Sequence, residues 1–533
     1  MDVRRKYIFG LLAIGMVLFF FNLGGRDLWE PDETRYAVIA REMKDTGNWI
    51  LPHFNREVYA EKPPLFFWLV NLSTFFLGEN NELTNRLPSA LAGLIAFFIT
   101  FLFGERLFNL RVGFLSALVL GTCILFPQLS RWMMLDSLFT LFLLLSLFYF
   151  YLGYEKEGSR RKYYYLASLF MGLGVLTKGP IGYLPLPILL LFAFFQKDVK
   201  KFWNRDLLWG CLLSLILVLI WWLPACWIGG KEYIYWLLFK QAVGTYLEGG
   251  RHFHPEPFYF YFVRFPIEFF PWIVFLPTAF VLGLRRDFRK RKEFVFLSIW
   301  FFFIFIFFTL SKGKKDNYLL PLYPAAALIV GNLWDLGFQS EEGKKGFLSG
   351  LLLLTLLFLA GFVLTLSKMP QRFYPEATAY SSLGLSILSY MLLGSFLSLL
   401  FFIMRRKWAS FVILMIAFAF FHLHLSYSLP SEINSLKSAK GFSEKILKRM
   451  EIGDELKTYS LKSNGLLYYT KKPYIESIQS QERFFEIFNS PQRVFVVIYA
   501  ETLDRLKKET NVELTPLEQV KVNHWKYVLI SNH

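Results

Sequence analysis

The chain has 533 residues, 55% of them hydrophobic and 19% charged, against about 45–50% apolar and about 25% charged residues in an average soluble protein. That composition excludes a soluble single domain and a disordered chain alike. Lys plus Arg (58) exceed Asp plus Glu (41), for a formal charge of +17, but the excess sits in short clusters beside apolar runs, which is membrane topology and not a nucleic-acid footprint.

Arg4, Arg5 and Lys6 precede an apolar run from about Tyr7 to Leu23. Gly24, Gly25, Arg26 and Asp27 follow without a small-residue cleavage pattern, so the run is expected to stay as a first span. About thirteen segments are long and apolar enough to cross a bilayer, upright or where it thins. They start near Tyr7, Thr84, Val112, Met134, Tyr163, Ile181, Leu207, Glu268, Phe294, Tyr318, Phe347, Tyr380 and Ser410. Cys123, Cys211 and Cys226 lie in or at the ends of these runs without Cys-x-x-Cys spacing and read as small core residues.

The segment Pro64 to Gly78 is apolar but short, and charge decides its place. With it in the interface, Arg4–Lys6, Arg160–Lys162, Lys197/Lys200/Lys201, Arg285–Lys292 and Arg405–Lys407 all fall on one side, the cytoplasmic one by the positive-inside rule. The N-terminus is then cytoplasmic and the C-terminus outward. From about Leu429 the chain turns polar, and residues 429–533 read as a small soluble α/β domain: a helix over Ser443–Met450 and strands over Val494–Tyr499, Glu513–Val522 and Trp525–Ile530. Residues 1–428 form the membrane part, with outward loops at 24–83 and 229–266.

The first outward loop is the most informative stretch. Pro31 suits the first turn of a helix, Asp32 and Glu33 complement its positive end, and Tyr36, Ile39, Ala40 and Met43 recur at helical spacing before Gly47, so an amphipathic surface helix is predicted. The two carboxylates serve such a helix as caps or a reaction as acids. Lys62, before two prolines, is presented at headgroup depth, where an ammonium snorkels or meets a lipid phosphate. Asp136 starts the fourth span; an aspartate in an apolar run caps a helix or faces a polar cavity. Lys178 lies at the outward junction of spans five and six. Lys312, Lys314, Lys315, Asp316 and Tyr318 lie at the outward start of span ten. His252 and His254, two apart in the second loop, share a face of an extended chain and with a distant carboxylate such as Glu61 make a divalent-metal donor set. His422 and His424 read as interfacial side chains. Asp32, Lys62, Asp136, Lys178, His252 and Lys312 all fall on the outer face, a pattern of a cavity lined by acids and phosphate-binding cations.

These residues stand in PDETRYAVIAREM (31–43), YAEKPPLFFWLV (59–70), MMLDSLFTLFL (133–143), TKGPIGYLPL (177–186) and SKGKKDNYLLPLYPAAALI (311–329). In this order and spacing they resemble the aminoarabinose transferases of lipid A, membrane glycosyltransferases of GT-C fold related to protein O-mannosyltransferases. The likeness covers most of the first 330 residues. It implies a polytopic α-helical enzyme of the bacterial inner membrane, binding no nucleic acid and working as a monomer among membrane lipids, that moves a sugar from a polyprenyl-phosphate carrier to lipid A or another acceptor at the outer leaflet with inversion. It implies Asp32, with Glu33 beside it, and Asp136 as the acids. Lys62, Arg35, Tyr318, Tyr59 and Lys178 would hold the donor phosphate, and Glu61 with His252 and His254 a divalent metal, zinc by its donors. Transfer of a uronic acid or hexose to lipid A core or protein is the alternative within the class, and a polyprenyl-lipid flippase the alternative outside it, though a transporter should place its polar groups at the bilayer midplane of repeated halves.

Overall fold

A computed structural model describes residues 2–155, 160–236, 255–283, 291–368, 381–462, 464–510 and 514–533. A helix begins within a turn or two of every predicted span start. Among the described residues eight helices are long and apolar enough to cross a membrane, and nine if the pair Phe260–Glu268 and Trp272–Gly283, bent by 107°, is one span. The expectation of about thirteen also counts Val3–Phe20 and Arg160–Lys178, which open on arginines and lysines, and the shorter Leu110–Thr122 and Pro180–Phe195.

The chain divides into two compact units, residues 1–21, 61–63 and 89–426 in the first and 22–60, 64–88 and 427–533 in the second. The first is the helical membrane part. Its helix Tyr323–Gln339 is largely buried and lies against Leu110–Thr122 so closely that a Cβ on Gly331 would meet Ser116 Oγ at 2.2 Å. Small residues permit such approach where lipid supplies no hydrophobic drive. Trp334 from the same helix packs on Phe347 and Phe411, at centroid distances of 3.6 and 4.8 Å.

The second unit joins the loop after the first helix to the C-terminal domain. Its helix Asp32–Thr46 ends at Gly47, whose φ of 69° is open to a glycine at little cost. A hairpin follows, strand β1 (His53–Phe54) with β2 (Glu57–Val58), and its turn residues Asn55 and Arg56 both have positive φ, as a two-residue hairpin needs. The Glu42 carboxylate accepts from both turn amides, at 2.8 and 3.2 Å. The helix Leu65–Leu77, too short to cross a bilayer, buries Phe66, Phe67 and Val70 and exposes Leu72, Phe75, Phe76 and Leu77.

Within residues 427–533 five strands, β3 (Glu455–Tyr459), β4 (Glu476–Ile478), β5 (Val494–Tyr499), β6 (Glu518–Val522) and β7 (Trp525–Ser531), form one sheet in the order β4-β3-β5-β7-β6. β3 runs parallel to β4 and β5, while β7 is antiparallel to β5 and β6. Phe484, Ile487, Leu503 and Leu506 from the helices Gln481–Phe488 and Ala500–Thr510 cover Val494, Val496 and Ile498, each such burial contributing ~1.5–3 kcal/mol. The expected helix over Ser443–Met450 is Lys440–Arg449; of the expected strand Glu513–Val522, Glu513 lies outside the described residues and the strand runs over Glu518–Val522.

Arg41, on the helix Asp32–Thr46, donates to the carbonyls of Leu467, Tyr468 and Lys472 at 3.1–3.3 Å. Asn55 closes a two-way bond with the Ile475 backbone, Leu28 N–H donates to the Tyr469 hydroxyl at 2.7 Å, and Gly465 N–H donates to Glu30 at 2.7 Å. Loop and C-terminal domain thus fold as one body.

Candidate functional site

In the second unit, Asp32 and Glu33 occupy the first turn of one helix, and consecutive helical side chains diverge by about 100°. Asp32 turns to the open face and pairs with Arg35, one turn on, their side chains 24% and 21% exposed. The Arg35 guanidinium lies 5.5 Å from the Tyr36 ring and 5.8 Å from the Tyr59 ring, a stacked cation with a buried phenol beside it. Tyr59 is fixed by its amide, which donates to the Pro52 carbonyl at 2.8 Å, and by its ring against Phe67.

Glu33 faces inward and is 3% exposed. Its oxygens accept from Arg86 at 2.9 and 3.2 Å and from the Trp29 amide at 3.0 Å, and Arg26 lies at 2.7 Å. Burial alone would raise this carboxyl, but the two guanidinium groups outweigh it and hold it at about 2. Burial also pulls Arg26 down, to about 10. Glu33, grouped with the acids in the sequence, is thus an ionised carboxylate bound between two guanidinium groups in the interior of the loop.

In the first unit, Asp136 opens the helix Leu135–Glu155 and is 2% exposed. Both its oxygens are engaged: Oδ1 by the ammonium of Lys178, last residue of the helix Arg160–Lys178, and Oδ2 by the Asn317 amide at 2.8 Å. Gly179, at φ +80°, turns the chain away directly after Lys178. The Lys178 Nζ also lies 4.9 Å from the Tyr318 ring and 5.4 Å from the Phe139 ring. Three distant segments, around residues 136, 178 and 317–318, therefore meet at one buried charge pair.

The loop before Asn317 is clamped. Lys314, 4% exposed, donates to the carbonyls of Glu256 and Ser311, and the Glu256 amide to that of Lys312 at 3.3 Å. Arg264 holds Asp316 through bonds of 2.9 and 2.6 Å. Lys314, read from the sequence as one of the outward cations, thus spends its ammonium on backbone; Lys312 is exposed. Glu61 and Lys62 are half-buried. His252 and His254 lie outside the described residues, and among the described residues no group of three His, Cys, Asp or Glu is placed to hold a metal. His422, expected at the interface, is buried within the protein at 6% exposure, with Nε2 3.4 Å from the Thr122 carbonyl. Of the cysteines, Cys123 is buried and Cys211 and Cys226 are half-buried, all free.

Sequence reasoning missed Asn317 and Arg86. Asn317 carries no charge and stands among five more conspicuous polar residues. Arg86 stands at the start of the second predicted span, two residues before Pro88, and a cation in that position, expensive if unpaired, was the signal available.

The sequence model of the dolichyl-phosphate-mannose-protein mannosyltransferase family matches residues 61–223. The undecaprenyl phosphate-alpha-4-amino-4-deoxy-L-arabinose arabinosyl transferase 2 of Pseudomonas fluorescens is 32% identical over 367 residues, 68% of this chain and 66% of the relative. The corresponding transferase of Edwardsiella ictaluri is 32% identical over 64% of this chain and 62% of its own length. An uncharacterized Aquifex aeolicus protein is 31% identical over 73% and 74%. The chain thus spans about two thirds of the length of the relatives it matches. Among solved structures, ArnT from Cupriavidus metallidurans bound to undecaprenyl phosphate superposes with a TM-score of 0.84 at 20% identity, covering 99% of this chain and 98% of that one. The archaeal oligosaccharyltransferase AglB from Archaeoglobus fulgidus follows at 0.51 and 12% identity. At those identities the likeness is one of fold.

Proposed function

The chain belongs to the family of the undecaprenyl phosphate-aminoarabinose arabinosyl transferases, membrane glycosyltransferases of GT-C fold, and from that premise we propose that it moves 4-amino-4-deoxy-L-arabinose from undecaprenyl phosphate to lipid A. In the reaction an acceptor oxygen attacks the anomeric carbon, the bond from that carbon to the carrier phosphate breaks on the opposite face, and its electron pair leaves with the phosphate. Inversion follows. Charge develops on the departing phosphate, so cations aimed there act most strongly in the transition state. Lys62 and Arg35 take that role, with Tyr59 and Tyr318 as hydroxyl partners and Lys178 as the cation set by Asp136.

The observation that carries this reading is the engagement of both Asp136 oxygens, by Lys178 and Asn317. A buried carboxylate with both oxygens so engaged is an anchor for a cation rather than a base. A phosphate monoester acceptor, largely dianionic at neutral pH with its second pKa at about 6, needs no base. Asp32, in the more open pair, orients the acceptor or stabilises positive charge on the sugar. Purified protein is to be incubated with lipid A and a panel of radiolabelled polyprenyl-phosphate sugars. Label on lipid A from the aminoarabinose donor alone is expected; label from a uronic acid or hexose donor, or none, overturns the assignment.

Three finer statements belong to the same proposal. The N-terminus is cytoplasmic and residues 427–533 are periplasmic, so a cysteine placed at residue 2 should resist an impermeant maleimide in intact spheroplasts while one in the C-terminal domain reacts; the reverse pattern contradicts the topology. The enzyme works as a single copy, and light scattering in detergent should give one protein mass near 62.6 kDa. Glu61, His252 and His254 hold a divalent ion, for which a carboxylate with two imidazoles is zinc chemistry. Such an ion supplies Lewis-acid stabilisation of a phosphate. One zinc per purified chain, lost in Glu61→Gln, is expected, and a metal-free wild type argues against it.

A further inference from the structure

We propose that Arg86 is the positioning residue of the Asp32–Arg35 pair, acting on it through Glu33; the catalytic part of this inference rests on the function proposed above. The guanidinium is 1% exposed and makes five hydrogen bonds. Nε and one terminal nitrogen reach the two oxygens of Glu33 at 2.9 and 3.2 Å. The rest go to backbone carbonyls, Leu23 at 3.1 Å, Arg26 at 2.6 Å and Asp27 at 2.7 Å. That count equals the donor inventory of an arginine. One side chain therefore rivets the segment that leads into the helix Asp32–Thr46 and the first turn of that helix together.

The geometry makes Glu33 the lever. It is fixed from the buried side by Arg86, by Arg26 and by the Trp29 amide, while its neighbour Asp32 and the residue two further on, Arg35, lie on the partly open face. In a helix the rotation that sets Glu33 also sets Asp32 and Arg35. Arg26 adds a second lock, its guanidinium 3.9 Å from the centroid of the Trp29 ring. A lysine at residue 86 keeps the charge but has three donors on a point charge in place of a planar fork of five. It leaves at least two buried acceptors without their partner and lets the first turn rotate. A displacement of about 1 Å at a reacting group can cost ~100-fold in rate.

The test uses the full-length protein in proteoliposomes. Arg86→Lys should cut kcat at least about tenfold with the thermal midpoint within a few degrees of wild type. Made on an Asp32→Asn background it should cost less than about twofold more, because a residue that works through Asp32 has nothing left to position. A merely structural role predicts the same loss on both backgrounds, and that result, or kcat retained within about twofold in the single variant, overturns the proposal. Hydrogen exchange reads the clamp independently of turnover. Amides of residues 29–36 should exchange faster in Arg86→Lys while those of the C-terminal sheet do not, and unchanged exchange at 29–36 overturns it. If the wild type transfers no sugar, the functional reading fails and exchange alone decides the positioning. If Arg86→Lys does not fold, Glu33→Asp shortens the same lever and is read in the same way.

Discussion

The two acidic centres are built to opposite specifications. Asp136 is sealed, with its partner Lys178 7% exposed at the side chain and Asn317 on the remaining oxygen. Asp32 and Arg35 form a partly open pair, about a fifth to a quarter exposed, whose order comes from Glu33 behind it. A sealed pair is preorganised and needs no rearrangement as charge develops. An open pair can exchange one partner for a ligand, as an arginine that meets a phosphate must. The difference teaches that the first centre is set by its own contacts and the second by its support.

Breaking the sealed pair should have the largest effect. Lys178→Met leaves a buried aspartate uncompensated, which costs ~3–5 kcal/mol, and is expected to abolish transfer and lower the unfolding midpoint in detergent. The double variant Asp136→Asn/Lys178→Met removes both charges and should be more stable than Lys178→Met alone, though still inactive; equal midpoints would mean the pair is not buried as described. Lys62→Glu should come next, with transfer lost and the midpoint unchanged, since Lys62 is only half-buried; full activity in this variant removes it from the phosphate site.

Acid titration sharpens the contrast at Glu33. Its carboxyl is held at about 2 in the folded protein against about 4.3 for an ordinary glutamate, so the stabilisation it provides is present above about pH 4.3 and is lost as pH falls toward 2. Glu33→Gln should therefore be less stable than wild type at neutral pH, with the gap closing between pH 4.3 and 2 in chemical denaturation of the full-length protein. A gap independent of pH contradicts the charge clamp. The smallest change in stability is expected at Asp32. Asp32→Asn should lower kcat yet leave the shape of its pH dependence unchanged if the acceptor is, as proposed, a phosphate that needs no base. Its stability should change by under about 1 kcal/mol, as for a partly exposed pair.

Much of this was legible in the sequence where apolar runs are long. The helices sit where hydropathy placed them, and β5, an unbroken Val494–Tyr499 run, was found with its boundaries. β3 and β4 were not, because they are short and carry paired charges in place of an alternating apolar face: Lys457 sits opposite Glu476 and bonds it at 2.5 Å. The union of the first loop with the C-terminal domain left no trace either. It is made largely by side chains that meet backbone carbonyls some four hundred residues away, as Arg41 does, and a carbonyl has no sequence signature. Asp32, Arg35 and Tyr59, named from motifs, do assemble in the second unit, as Asp136, Lys178 and Tyr318 do in the first. What pattern reading supplied was the charged groups; what it lacked was the neutral Asn317 and the buried Arg86 that orient them.

The most direct test of the account is a single-turnover experiment in proteoliposomes, with donor labelled in the sugar and the fates of sugar and carrier followed together. In the wild type the label should appear on lipid A in step with free undecaprenyl phosphate, and neither product should appear in Asp136→Asn. Carrier released without label on lipid A, or undiminished transfer in that variant, would contradict it.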